Sequence, residues 1–253
     1  MNRFSFLFIA FIALITSCSL GNKNDTSTNR EAADKTSNGL VEIFDGKTFE
    51  GWRGYNKTDI PALWMIQPDG SMKINGSGGN EGSEGGGDIL YDKKVKNFVF
   101  EVEWKVLTVG ANSGILYLAQ EIPGQPMYVS SPEYQIYGNS DDKPSKTKSG
   151  SLYDMIAAEP QNAKPIGEWN KAKIVVDNGK VTHYQNDVIV VEYTLWTPEW
   201  EELLNSSKFS KERWPLAYQY LSKLGGENKE GYIGFQDHGH EVFYRNIKLK
   251  ECP

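Results

Sequence analysis

The sequence predicts an all-β sandwich of the jelly-roll type with one short helical insertion. Apolar and polar residues alternate with a period of two through several short segments, which is the pattern of half-buried strands. Asn, Asp and Gly separate these segments at positions where hairpin turns need positive φ. The chain has 253 residues, 12% of them aromatic, and this size suits a single all-β domain. These features are typical of a meander of short strands.

The clearest strand is predicted at residues 98–106. Trp104 and three other apolar residues occupy one face, while Glu101, Glu103 and Lys105 occupy the other. The same reasoning predicts further strands at residues 115–119, 134–137, 171–176, 181–185, 188–193, 232–236 and 242–250.

Turns and one helical segment connect these strands. Asp177-Asn178-Gly179-Lys180 and Asn186-Asp187 are hairpin sequences. Residues 198–220 contain a helix-compatible run, with Thr197 as the predicted N-cap. The last two strands are expected to be joined by a tight turn around Gly239.

The N-terminus predicts export and lipidation. Arg3 precedes an apolar run that is too short to span a bilayer, and Ile15-Thr16-Ser17-Cys18 resembles a bacterial lipobox. We therefore expect residues 1–17 to be a lipoprotein signal peptide, Cys18 to carry the lipid and residues 18–39 to be a flexible tether. Residues 40–253 would form the single sandwich domain, held in the cell envelope at the outer membrane.

The composition and net charge limit the kinds of ligand that the protein is expected to bind. The net charge is −6 and no basic stripe is present, which argues against nucleic acid and favours neutral ligands such as sugars. After removal of the signal, Cys252 is the one cysteine besides the lipidated Cys18, so an intramolecular disulfide is not expected. The glycine-rich residues 75–87 lack the Gly-Lys-Ser/Thr ending of a phosphate-binding loop, which excludes nucleotide binding through that motif.

Carboxylates on alternating strands are the first candidates for chemistry. Glu101 and Glu103 share a face roughly 6–7 Å apart, which is either a glycosidase-like pair or a solvated charged face. Glu133, Gln135 and Tyr137 share the face of another strand, and a carboxylate, an amide and a phenol together suit a sugar-binding groove.

The remaining candidates are polar residues near turns and strand ends. Asp154 could be a ligand, a base or a cap, and a lone strand histidine such as His183 is more often packed than catalytic. His238 and His240 flank Gly239, so their side chains need not converge on a metal. No serine or cysteine nucleophile motif is present.

Short motifs in a fixed order resemble the DUF1080 family, whose members are described as 3-keto-disaccharide hydrolases or 3-keto-glucoside 1,2-lyases. The similarity extends over essentially the whole domain. Its motifs include Phe44-Asp45-Gly46-Lys47, Gly51-Trp52, Asn112-Ser113-Gly114-Ile115, Pro132-Glu133-Tyr134-Gln135, Leu152-Tyr153-Asp154, Glu168-Trp169-Asn170 and Gln236-Asp237-His238-Gly239.

The resemblance implies a concanavalin A-like (glucanase-type) jelly roll that acts on 3-keto-glycosides. Removal of the C2 proton, loss of the C1 oxygen and addition of water give net hydrolysis. On that mechanism Glu103 or Glu133 is the base or acid, and His238 is the other proton carrier or an enolate donor. The residues expected to bind hydroxyls or to hold these groups are Gln135, Asp154, His183, Gln236 and Arg245.

No cofactor is required by this chemistry, although a divalent metal held by His238 and a carboxylate is compatible with it. Two other functions remain open at this point. One is a carbohydrate-binding lipoprotein without activity, and the other is a conventional retaining glycosidase that uses Glu101 and Glu103.

Overall fold

The computed structural model of the protein describes residues 39–76 and 84–253. These residues contain thirteen strands, two α-helices and one 3₁₀ turn. The strands are β1 (Val41–Glu42), β2 (Trp52–Gly54), β3 (Trp64–Ile66), β4 (Met72–Ile74), β5 (Ile89–Tyr91), β6 (Asn97–Val106), β7 (Asn112–Ala119), β8 (Glu133–Tyr137), β9 (Asn170–Asp177), β10 (Lys180–Gln185), β11 (Val188–Thr194), β12 (Tyr232–Phe235) and β13 (Val242–Cys252). The helices are α1 (Pro198–Ser206) and α2 (Pro215–Leu221), and the 3₁₀ turn is Met127–Val129.

The strands form two antiparallel sheets that pack face to face. The eight-stranded sheet has the order β11-β10-β9-β6-β13-β4-β3, with β1 paired to β13, and the five-stranded sheet has the order β2-β5-β12-β7-β8. Aromatic rings from both sheets meet in the core. Phe235 of β12 stacks on Tyr244 of β13 with ring centroids 4.1 Å apart, and on Trp52 of β2 at 5.5 Å. The predicted all-β sandwich with a helical insertion is confirmed.

Strand β6 shows why the alternation predicted its face correctly. Phe98, Phe100, Val102 and Trp104 are buried in the core, whereas the intervening Glu101, Glu103 and Lys105 are partly exposed. Both predicted hairpin turns form with positive φ, at Asn178 and Gly179 and at Asn186 and Asp187.

The helical insertion lies between β11 and β12. Thr197 caps α1 as expected, because its side chain accepts a hydrogen bond from the Trp200 N–H at 3.3 Å. The insertion contains a second helix, α2, which also begins at a proline.

The expected tight turn between the last two strands is wrong. Strand β12 belongs to the five-stranded sheet and β13 to the eight-stranded sheet, so residues 236–241 cross from one sheet to the other. The alternation of a strand defines its two faces but not its hydrogen-bonding partner, and two consecutive strands therefore look the same in sequence whether they pair or not.

The predicted signal peptide, the lipidation of Cys18 and nearly all of the predicted tether lie outside the described residues. In residues 39–76 and 84–253, no helix has the length and apolar content needed to cross a bilayer. From Gly39 to Pro253 the chain forms one compact unit.

Candidate active site

Polar side chains collect on the outer face of the five-stranded sheet, opposite the core. In the register of β7 and β8, Ile115 pairs with Tyr134 and both point into the core, so the neighbouring pair of Leu116 and Glu133 points outward. Gln236 follows β12 and also points outward, since Phe235 before it is in the core. Strand pairing therefore places Glu133 and Gln236 on one surface, on either side of β7.

Gly114 of β7 lies between these two polar residues. The Gly114 carbonyl accepts a hydrogen bond from the Gln236 N–H at 2.9 Å. A Cβ atom at Gly114 would lie 2.6 Å from Cγ and 2.7 Å from Cδ and Oε1 of Glu133. The absence of a side chain at this position is therefore what allows the Glu133 carboxylate to lie over the sheet.

A recess of about 60 Å³ opens on this surface. Glu133, which is only 6% exposed, contributes a carboxylate, Lys208 an ammonium group and His238 an imidazole. The complete lining is Asn112, Tyr128, Glu133, Tyr153, Lys208, Gln236 and His238, and every member carries a polar group. The recess thus brings together a carboxylate, an ammonium group and an imidazole, which are groups able to carry protons or charge in a reaction.

Lys208 reaches the recess from the helical insertion. Asp154 Oδ2 accepts a hydrogen bond from the Lys208 backbone N–H at 2.6 Å, which fixes the chain at this point. The ammonium group lies 4.4 Å from the ring centroid of Tyr153 and 5.4 Å from that of Tyr128. Cation–π attraction to two aromatic rings holds the positive charge at the mouth of the recess.

His238 stands on the crossover between the sheets, and the buried Asp237 beside it fixes this segment. Asp237 Oδ2 accepts a hydrogen bond from the Gly87 N–H at 2.8 Å, and Oδ1 accepts one from the Gly239 N–H at 2.9 Å. The Ser113 hydroxyl donates to the Gln236 carbonyl at 2.6 Å. These bonds hold both ends of the Gln236–His238 run and so fix the backbone that carries His238.

The structure brings three of the predicted site residues together, namely Glu133, Gln236 and His238. Glu103 and Arg245 are not among them. Glu103 points to the outer face of the eight-stranded sheet, where its Oε2 is 2.7 Å from Arg245 Nε, and the Arg245 guanidinium stacks on Trp169 at 4.0 Å. The expectation that this pair shares a site with Glu133 is corrected, because the two outer faces lie on opposite sides of the sandwich.

Glu101 lies on the same outer face as Glu103, and its Oε2 is 3.2 Å from Lys171 Nζ. Both carboxylates of the proposed glycosidase pair are therefore engaged by cations on neighbouring strands. This arrangement gives no support to a conventional glycosidase site on β6.

His183 is buried in the core and does not reach the recess. Its Nδ1–H donates to the Gly150 carbonyl at 3.1 Å, and Nε2 accepts from the Tyr117 hydroxyl at 2.8 Å. Burial lowers the pKa of His183 to about 4, so the imidazole is neutral at ordinary pH. His183 was expected to bind hydroxyls or to hold the catalytic groups; it does not line the recess, and it braces the segment beside β8.

Gln135 and Asp154 also form hydrogen bonds with the backbone and do not line the recess. The Gln135 side chain is 1% exposed and donates from Nε2 to the Thr147 carbonyl at 3.1 Å. Asp154 holds Lys208, as described above. Both residues were expected to bind hydroxyls or to hold the catalytic groups; neither lines the recess, and Asp154 holds a residue that does.

Four lining residues were not predicted from the sequence: Asn112, Tyr128, Tyr153 and Lys208. Tyr153 lies inside the Leu152-Tyr153-Asp154 motif, which was a usable signal. Lys208 follows α1 without any motif, so only the fold could reveal it. Within the described ranges, no three His, Cys, Asp or Glu side chains cluster closely enough to hold a metal ion.

Comparisons with known proteins agree with the fold. The family of 3-keto-alpha-glucoside-1,2-lyase-like domains matches residues 39–250. A 3-keto-disaccharide hydrolase of Bacteroides thetaiotaomicron is 54% identical over 228 residues, which cover 84% of this chain and 78% of that protein.

Two crystal structures from Parabacteroides distasonis share the fold, and both proteins are candidate glycosyl hydrolases. The first is 27% identical, with a TM-score of 0.70, and the match covers 87% of this chain and 97% of that one. The second is 23% identical, with a TM-score of 0.59, over 85% of this chain and 100% of that one, and it bears on the fold alone.

The sandwich, the polar recess and these relatives together define a hydrolase of carbohydrates. The chain belongs to the 3-keto-alpha-glucoside-1,2-lyase-like family, which confirms the resemblance seen in its motifs.

Proposed function

We propose that the protein cleaves 3-keto-glycosides by elimination followed by hydration. The observation that carries this proposal is the recess itself, which is lined by Glu133, Lys208 and His238 on one outer face. The name of the Bacteroides relative, a 3-keto-disaccharide hydrolase, points to the same substrate class.

The first step is proton abstraction from C2 of the oxidised sugar. A ketone at C3 makes this proton acidic, because the electron pair of the C2–H bond delocalises onto the ketone oxygen. Glu133 is the base in this step, since it is the carboxylate that lines the recess.

The enolate that forms carries its negative charge on the C3 oxygen. Lys208 supplies the opposite charge, with an ammonium group held against Tyr153. A positioned cation in a largely closed recess stabilises such charge far better than water does. Lys208 therefore takes the enolate role for which His238 had been one candidate.

In the second step the enolate electrons form the C1–C2 double bond and the C1–O bond breaks. His238 donates a proton to the leaving oxygen, which departs as an alcohol. Water then adds at C1 and a proton returns to C2, so that one water is consumed and one glycosidic bond is lost.

The size of the recess fits recognition of one edge of the sugar. A volume of about 60 Å³ is well below the several hundred Å³ typical of a site that encloses a whole ligand. The edge carrying C2 and C3 would enter, while the rest of the ring lies outside. Asn112 Oδ1 is buried at the recess with no hydrogen-bond partner among the described residues, and it suits a substrate hydroxyl.

The test compares a 3-keto-disaccharide with its unoxidised parent in D₂O. We expect turnover of the 3-keto compound alone, with deuterium incorporated at C2 of the released 3-keto sugar. Incubation without enzyme controls for spontaneous exchange.

Cleavage of the 3-keto compound without enzyme-dependent deuterium at C2 would exclude elimination and leave direct hydrolysis. Cleavage of the unoxidised parent at a similar rate would contradict the requirement for the ketone. Tight binding of either sugar with no cleavage would contradict the proposed activity altogether.

A further inference from the structure

The recess is the inner end of a longer cleft on the same face. A groove of about 490 Å³ shares Tyr128 and Gln236 with the recess. A depression of about 900 Å³ shares Asn56 and Lys57 with that groove. Because each cavity shares two lining residues with the next, the three are adjacent and extend from Glu133 to the loop after β2.

The wall of this cleft is fixed by contacts to the described end of the glycine-rich segment. The Leu63 N–H donates to the Gly85 carbonyl at 2.9 Å, and the Lys57 ammonium donates to the Gly86 carbonyl at 2.9 Å. The Trp64 indole N–H donates to the Gly87 carbonyl at 2.8 Å. A wall held at three successive residues is preorganised for a ligand.

Asn56 and Lys57 stand at the junction of the groove and the depression. Asn56 has a φ of 55°, its N–H donates to Glu121 Oε1 at 2.8 Å and its side-chain amide donates to the Ile122 carbonyl at 2.8 Å. The side-chain oxygen of Asn56 can therefore accept a hydrogen bond from a ligand. Lys57 uses one ammonium proton for Gly86 and can donate the other two to a ligand.

Arg53 also lines the depression but is committed elsewhere. Its guanidinium binds both carboxylate oxygens of Glu121, at 2.6 and 2.9 Å, and Asp92 Oδ1 at 2.8 Å. Lys57, in contrast, has no carboxylate within ion-pair distance among residues 39–76 and 84–253. Of the two cations in this part of the cleft, Lys57 is the one with capacity for a ligand.

We propose that Asn56 and Lys57 bind the leaving-group sugar of a 3-keto-disaccharide and so determine selectivity for the group attached to C1. This inference rests on the proposed function. A ring whose C2 and C3 edge enters the recess would lie against Tyr128, and its glycosidic oxygen is attached to C1, the carbon next to C2. The cleft continues from there to Lys57, so the second sugar reaches the junction.

The experiment measures kcat/KM on two substrates, 3-keto-trehalose and methyl 3-keto-glucoside, which share the reacting ring and differ in the leaving group. For Lys57→Met we expect a loss of about tenfold with 3-keto-trehalose and a change of less than about twofold with the methyl glycoside. Asn56→Gly, in which glycine tolerates the positive φ, should also lose more kcat/KM with 3-keto-trehalose than with the methyl glycoside. The exposed Lys223→Met is the matched control and should leave both values unchanged.

Equal losses on both substrates would overturn the assignment, because they would mean that Lys57 supports the reacting ring or the wall. Unchanged values on both would also overturn it. Inactivity of the wild-type protein on the methyl glycoside and on 3-keto-trehalose would instead reject the proposed function, and this assignment with it.

Discussion

The outer faces of the two sheets carry similar residue types and differ in what lies across from each carboxylate. On the eight-stranded sheet, Glu103 lies opposite Arg245 on one neighbouring strand and Lys171 on the other. On the five-stranded sheet, Glu133 lies opposite Leu116, and Gly114 beside it has no side chain. The Glu103 carboxylate is neutralised by cations on the neighbouring strands, whereas the Glu133 carboxylate is directed into the recess.

The alternation of apolar and polar residues along a strand therefore cannot distinguish a carboxylate that stabilises the sheet from one that lines a site. Opposite charges on neighbouring strands stabilise a sheet by about 1 kcal/mol or less each. Glu133, in contrast, is buried and lines a recess whose other members are all polar, and a buried carboxylate in such a polar recess is typical of a functional site. Four sets of variants test this difference.

The largest effect is expected when the two glutamates are compared directly. Glu133→Gln keeps the shape and removes the base, so kcat on a 3-keto-glycoside should fall by roughly 10³-fold. Glu103→Gln leaves the recess intact and should change kcat by less than about threefold while costing about 1 kcal/mol or less of unfolding free energy. Steady-state kinetics and chemical denaturation measure both, and similar losses of kcat would contradict the assignment of the site to one face.

The second comparison uses two lysines that both stack on aromatic rings. Lys208→Met removes the charge expected to stabilise the enolate, so kcat should fall by roughly 10²-fold or more. Lys105→Met loses only its stacking on Trp169 and Phe243 on the other sheet and should keep its activity. Single-turnover kinetics distinguish a slower chemical step from weaker binding. Loss of binding alone in Lys208→Met would reassign that residue to substrate recognition.

A smaller effect is expected from crowding the recess at its floor. In Gly114→Ala the added methyl group forces the Glu133 carboxylate to move, and kcat should fall by about tenfold. Gly167→Ala is the control, because it introduces a side chain at φ 89° with open space around it. It should cost stability without a change in kcat. A fully active Gly114→Ala protein would show that Glu133 need not be held in place.

The smallest effect is on stability and concerns His183. Because burial lowers the pKa of His183 from 6.5 to about 4, the unfolded chain takes up a proton that the folded protein excludes. This contribution to stability is present above pH 6.5 and is lost as the pH falls toward 4. The advantage of wild type over His183→Gln in unfolding free energy should shrink by about 1 kcal/mol between pH 7.5 and 5.5. A constant difference across that range would mean that His183 is not kept neutral.

Long strands could be predicted from sequence and short ones could not. The ten residues of β6 give five repeats of a two-residue period, and its buried face was predicted correctly. Strands β1 to β5 are two or three residues long, which is too short for any period to appear. The division of β12 and β13 between two sheets depends on contacts distant in the chain, and local patterns contain no record of it.

The site was predictable only where a residue lay in a family motif. Glu133, Gln236 and His238 lie in such motifs and line one recess. Glu103 and Arg245 lie in two further family motifs, Phe100–Lys105 and Phe243–Ile247. Their ion pair shows that a motif can reflect packing as easily as chemistry. Lys208 follows a helix of the insertion, and its position depends on a hydrogen bond to Asp154, 54 residues earlier in the chain.

The crossover at residues 236–241 has a consequence for how the enzyme can fail. One end of this span is fixed in the five-stranded sheet and the other in the eight-stranded sheet, and His238 stands between them. A state that keeps both sheets hydrogen-bonded but loosens the contact of Phe235 with Tyr244 would retain its strands and lose the imidazole from the recess. The proposed reaction would therefore depend on the docking of the two sheets as well as on their formation.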